Sequence, residues 1–192
     1  MKFSDYSYLL KSDLYRYAGN SNLSSFIYNI VLSPGFKYSF WMRTNAYLRS
    51  HSSLRFLLFP FAWLILRHYV FKLGISISYR TKIGSGLYIG HFGGIVINPM
   101  AVIGKNCNIS HAVTLGVSNR GSRQGNPVIG DNVFIGPGAK VIGRIHVGNN
   151  VAIGANCVVT KDVADNSVVV GIPEKIISSE GSIGYIDNTD YE

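Results

Sequence analysis

The chain has 192 residues, 47% of them apolar, and a formal charge of +8, enough for one domain with a real core. Its two cysteines, Cys107 and Cys157, are too few for a disulfide scaffold. The opening MKFSDYSYLL carries an early acid and no long apolar run, against a signal peptide. A reducing, cytoplasmic setting is expected.

The charge is unevenly placed. Residues 1–82 hold eleven lysines and arginines against two acids, Asp5 and Asp13, and nineteen of the twenty-four aromatics. The remainder is nearly neutral. The chain is therefore expected to divide into a helical N-terminal region (1–73), a second region (74–172) and a C-terminal turn with a flexible tail (173–192). In the first, SDLYRYAG offers Ser12 or Asp13 as a helix cap and Gly19 as a stop. FLLFPFAWLIL (56–66) is eleven apolar residues broken by Pro60, too short for a span that needs about 20. Such a helix packs on the rest of the protein or lies on a membrane surface. Residues 36–72, with Trp41, Trp63 and the phenylalanines of 56–61, are the segment expected to make a peripheral contact with the inner face of the membrane. No nucleic-acid motif accompanies the basic charge, so no nucleic-acid partner is expected.

From Ile77 onward the sequence repeats every six residues. Aliphatic side chains stand at 77, 83, 89 and 95, then after a two-residue slip at 97, 103, 109 and 115. After the segment GVSNRGSRQGNPV (116–128) they resume at 129, 135, 141, 147, 153 and 159. A helix needs spacings of three and four, and a lone strand needs two. Six fits short strands joined by corners, three hexads closing a coil of 18 residues. Stacked coils bury a continuous core. Glycines following the aliphatic residue (84, 90, 104, 130, 136, 148, 154) suit corners with unusual backbone angles.

This repeat resembles that of the hexapeptide-repeat acyltransferases. GHFGGIVIN, AVTLG, IGPGAKVIG and VGIPEKII follow the order of the serine acetyltransferase branch, and with KSDLYRYAG and SPGFKYSFWMR they look closest to the relatives that acetylate exopolysaccharide and O-antigen. The resemblance implies a mainly β fold: a left-handed parallel β-helix preceded by a helical N-terminal region, assembled as a homotrimer with sites between subunits. It also implies acetyl-CoA as co-substrate and no metal.

The resemblance makes His91 the general base. His111 lies twenty residues on, one coil plus the slip, so the two imidazoles should stack one rung apart, about 5 Å between backbones, with His111 in a secondary catalytic role as acceptor ligand or second titrating group. A histidine, with an ordinary pKa of about 6.5, takes a proton from an attacking hydroxyl at neutral pH. By resemblance, backbone N–H groups at Gly116 or Val117 receive the oxyanion. Pro137, Ala139 and Ala155 flank the pantetheine arm, and Lys161 and Lys175 meet phosphates. Arg120, Arg123 and Asn126, in the loop beside the histidines, face the acceptor.

The serine branch has a carboxylate where this chain has Ser76, an acid where it has Gly90, and an Arg-His pair where it has Gly125 and Asn126. With those charges gone, the expected acceptor is a sugar hydroxyl of a bacterial surface polysaccharide or its precursor. Serine is the alternative. A γ-class carbonic anhydrase needs three placed imidazoles and lacks its His-x4-His spacing here. A non-catalytic scaffold is the remaining alternative.

Overall fold

A computed structural model describes residues 1–51 and 56–191. Among the described residues four bounded helices come first: α1 (Phe3–Ala18), α2 (Leu23–Leu32), α3 (Pro34–Arg49) and α4 (Phe59–Leu73). Fifteen short strands follow, β1 (Ile75–Ile77) to β15 (Lys175–Ser178). They form three parallel sheets, the faces of a triangular coil. The first face is β1-β4-β7-β10-β13 (β4 Ile95–Ile97, β7 Thr114–Gly116, β10 Lys140–Ile142, β13 Val158–Val159), the second β2-β5-β8-β11 (Lys82–Ile83, Val102–Ile103, Val128–Ile129, His146–Val147), and the third β3-β6-β9-β12-β14 (Tyr88–Ile89, Asn108–Ile109, Phe134–Ile135, Ala152–Ile153, Val168–Val170), with β15 added antiparallel at its end.

The six-residue period is the inward register of these strands. Thirteen of the fourteen aliphatic positions are buried and Ile83 is half-buried. Cys107 and Cys157 lie in the same core, where burial pushes their thiols up to about 12 and about 11. The slip falls earlier than Ile95–Ile97. Ile95 pairs with Ile75 and is fully buried, so the two extra residues sit in the corner before it, between β3 (Tyr88–Ile89) and β4 (Ile95–Ile97).

None of the seven glycines after the aliphatic residues has a positive φ, and six of them, all but Gly90, serve packing between rungs instead. A Cβ on Gly104 would stand 2.5 Å from the Gly130 carbonyl oxygen, and one on Gly130 would stand 2.7 Å from that of Gly148. At that corner the left-handed conformation falls instead on Asn106, Asn132, Asn150 and Asn166, a residue type that tolerates it. Their side-chain amides form a ladder, each donating to the next at 2.9–3.0 Å.

The helices close the lower end of the coil. The first rung has no rung beneath it, so its backbone groups need other partners. The Tyr38 hydroxyl accepts from Ile77 N–H and donates to Ile77 C=O, and Tyr17 does the same at Ile89. Ser12 accepts from Gly86 N–H, and Asp13 from Leu87 N–H. Arg43 donates to the carbonyls of Ile83 and Gly84 and forks onto Asp13 at 3.0 Å through two nitrogens. Ser12 and Asp13 are therefore not a helix cap: they lie mid-helix and buried, because the coil edge claims them. Gly19 does end α1, in the left-handed conformation. Gly35 lets α3 approach so closely that a Cβ there would meet Ile89 O at 2.0 Å.

The tail, expected to be flexible, lies back along the third face. Tyr185 stacks on Phe134 with centroids 4.6 Å apart. Ser182 bonds Asn150 and Asn132 backbone carbonyls. The Asp187 carbonyl accepts from Arg16, and Tyr191 donates to Asn106 at the foot of the ladder.

Burial pushes the Asp13 carboxyl above its usual range against the pull of Arg43. Removing one partner of such a pair strands the other, so Asp13→Ala should lower stability by about 3–5 kcal/mol, read by denaturant titration. Both thiols should resist a maleimide in the native protein and react once it is unfolded; rapid native labelling at Cys107 would contradict its place in the core.

Candidate active site

The register of the third face fixes the corner that follows it. Ile89 pairs with Ile109, Ile109 with Ile135, Ile135 with Ile153 and Ile153 with Val169. Two residues beyond each stand His91, His111, Pro137, Ala155 and Gly171. These form one column up one corner, two imidazoles below and progressively smaller residues above. The His91 and His111 rings meet edge-on, with centroids 5.9 Å apart and planes at 75°. Both are exposed. Among the described residues neither ring makes a hydrogen bond within the chain.

The corner at His91 is built differently from the one above it. Six residues separate Ile89 from Val96, against four between their partners Ile109 and Thr114. The extra length is taken by Gly93 and Gly94, both at positive φ. Gly93 C=O accepts from Ala112 N–H at 2.7 Å. Ala112, beside His111, is the one residue other than asparagine and glycine at positive φ among those described, at 57°, a strained position for a residue with a Cβ. The Lys140 ammonium donates to its carbonyl. Neither Gly171 nor Lys140 is singled out by the sequence; Gly171 becomes visible only by carrying the column two residues past Val169.

Other expected site residues lie elsewhere. Ala139 is fully buried inside the coil, because its position alternates inward next to Lys140. Lys161 sits at the corner between the first and second faces, the full width of the first face from the column. Lys175 is exposed on β15 and pairs with Val170, at the top of the column. Ser76 lies on the first face in a cavity of about 240 Å³ lined also by Trp63, Arg67, Tyr79 and Pro99.

The loop 116–128 does not cover the histidines of its own chain. It leaves at the end of β7 (Thr114–Gly116), at the same corner as Lys161. Ser118 and Gly125 pinch it with two backbone hydrogen bonds of 3.0 and 2.9 Å, and Arg144 N–H donates to Arg123 C=O on the rung above. Arg123 is paired with Asp162 at 3.0 Å, and a hydrogen bond from His146 N–H, seconded by that pairing, holds the Asp162 carboxyl below its usual range. The Asn126 Oδ1 is buried without a partner. Arg120 and Val117 are exposed, and Gly116 C=O accepts from Gly143 N–H. The expected cleft of two imidazoles under the loop is thus not formed within one chain, since one face of the coil separates its halves.

Residues 126–161 match the family model of the bacterial transferase hexapeptide (six repeats). The chain is 46% identical over 111 residues to a serine acetyltransferase of Staphylococcus aureus (strain Mu50), 58% of this chain and 52% of that one. It thus spans about half the length of the curated relatives it matches. The crystal structure of Brucella abortus serine acetyltransferase in complex with coenzyme A superposes with a TM-score of 0.76 at 31% identity, over 93% of this chain and 70% of that one. That of the Neisseria gonorrhoeae enzyme in complex with serine gives 0.73 at 28%, over 92% and 70%. A superposition of this quality requires the same hand of coil. These findings overturn the expected sugar acceptor, and they do not bear out a special nearness to exopolysaccharide and O-antigen enzymes: the similar proteins are named serine acetyltransferases. The chain belongs to the hexapeptide-repeat acyltransferases, in their serine acetyltransferase-like branch.

Proposed function

We propose that this protein moves the acetyl group of acetyl-CoA to the hydroxyl of serine, with His91 as general base. The observation that carries the reading is the corner column, where two facing imidazoles stand below Pro137, Ala155 and Gly171, in a chain whose relatives are serine acetyltransferases. His91 takes the hydroxyl proton as the oxygen attacks the thioester carbonyl. The tetrahedral intermediate then expels the coenzyme A thiolate, which recovers the proton from the imidazolium. Pro137, Ala155 and Gly171 leave room for the pantetheine arm along the corner, and Lys175 stands at its upper end for phosphate.

His111 is the neighbour of His91, and the two rings meet edge-on. The positions where the branch carries charge are here the uncharged Ser76, Gly90, Gly125 and Asn126, so serine must be held by neutral hydrogen bonds together with cations from elsewhere. A homotrimer supplies them: the loop corner of one copy, with Arg120, Asn126 and Lys161, completes the histidine corner of the next.

Losing a general base typically lowers the rate by about 10²–10⁴, so His91→Ala should fall by that factor in serine-dependent thiol release, with an unchanged melting curve. His111→Asn should stay within about tenfold of wild type, since the attacking proton goes to His91; an equal loss in both variants would transfer the role to the pair. If thiol release proceeds but does not depend on serine, the acceptor assignment fails while the acetyl-CoA reading stands. Sedimentation equilibrium should give three times the chain mass of 21.1 kDa, and a fully active monomer would exclude a shared site.

A further inference from the structure

The outer face of α4 is apolar, and nothing among the described residues covers it. Phe61, Leu64 and Phe71 are 68%, 57% and 72% exposed, and spacings of three and seven put them on one stripe. The opposite side of the helix is seated on the protein through Ala62, Leu66 and Leu73. The Arg67 guanidinium stands over the Trp63 and Phe71 rings, 5.4 Å and 5.1 Å from their centres. His68 and Lys72 are exposed beside it. This narrows the segment expected from sequence. In α3, Phe36, Tyr38 and Met42 are buried and Trp41 packs on the core, so α3 offers no such face.

The charge around the stripe has one sign. No acid occurs between Asp13 and Asp131, and Asp13 is buried against Arg43. A second copy docking through this same face would set Arg67 and Lys72 against their own equivalents, a like-charge arrangement that opposes association. We propose that the outer face of α4 is a docking surface for an anionic lipid bilayer, into which Phe61, Leu64 and Phe71 insert at headgroup depth while Arg67 and Lys72 meet the lipid charge. This is the amphipathic pattern of an interfacial helix, apolar residues on one face with cations beside them. Among the described residues no helix is long and apolar enough to cross a membrane, so the contact is in the plane of the surface. The proposal does not depend on the acceptor.

The test is flotation of the full chain with vesicles of phosphatidylglycerol and phosphatidylcholine, against phosphatidylcholine alone. The protein should float with the anionic vesicles, and binding should weaken steeply as salt rises. The triple change Phe61→Ser, Leu64→Ser and Phe71→Ser should abolish flotation. The pair Arg67→Gln and Lys72→Gln, which leaves the apolar stripe in place, should weaken it roughly 25-fold, at about 1 kcal/mol per basic residue. Absence of flotation on anionic vesicles at low salt overturns the proposal. So does unchanged flotation of either variant with a native melting curve, or a triple variant that sediments as a smaller assembly, which would make this face a contact between copies.

Discussion

The structure depends on how the first rung of the coil is closed. Every later rung is satisfied by the one beneath it, but the backbone groups of β1 to β3 face downward with no strand to meet them. Water could satisfy those groups, yet the helices cover them, and a covered N–H or C=O without a partner costs about 1–3 kcal/mol. The helical region therefore presents polar atoms at fixed heights: two tyrosine hydroxyls, one serine, one carboxylate and two guanidinium groups. Arg43 and Asp13 belong to this closure twice over, since each bonds the coil edge and each neutralises the other. The aliphatic core above can stack only from a rung held in this way.

Once that rung is fixed, the position of the histidines follows from counting. Each corner is a short connection between paired strands, and the pairing carries a side chain at one corner directly under its counterpart. Lengthening the His91 corner by two residues lets that imidazole lean out and present itself edge-on to His111. The same connection leaves Ala112 in a left-handed conformation that its Cβ resists, with Gly93 C=O and Lys140 holding its backbone at either end. Strain held in place by neighbours beside a reactive group is a recurrent feature of functional sites. It is confined here to the rung that carries His111; the corresponding positions above are Gly138 and Asn156, which relieve it.

The loop and the tail divide the remaining surface. The loop runs up the first-to-second-face corner and ties itself to Arg144 and Asp162, so it extends an edge of the coil without turning toward its own histidines. The tail closes the asparagine corner and the third face, and it reaches back to α1 through Asp187 and Asn188 at Arg16 and through the Tyr191 ring against Tyr8 and Tyr15. Of the three corners, the one with the histidines is left open. The helical region meanwhile keeps the positive charge: with Asp13 consumed internally, α2 to α4 have no carboxylate of their own.

The sequence by itself determined the coil. Fourteen aliphatic residues at six-residue spacing have no other economical arrangement, and the twenty-residue separation of His91 and His111 follows from one coil and a slip. The catalytic reading of His91 came from the family resemblance and not from the repeat, since a histidine on a coil corner can stand there without a role. Only the tertiary structure decided where the slip lay, since a period constrains positions modulo six and cannot say which corner absorbs two extra residues. The glycines looked like angle-breakers, but for six of the seven the reason lies in the neighbouring rung, a contact that sequence distance hides. The same holds for Asp13 and Ser12, whose partners are more than seventy residues away, and for the loop, whose corner depends on which face the preceding strand occupies. The residues read inaccurately are those whose role is set by a neighbour in space. Those set by local repetition were legible.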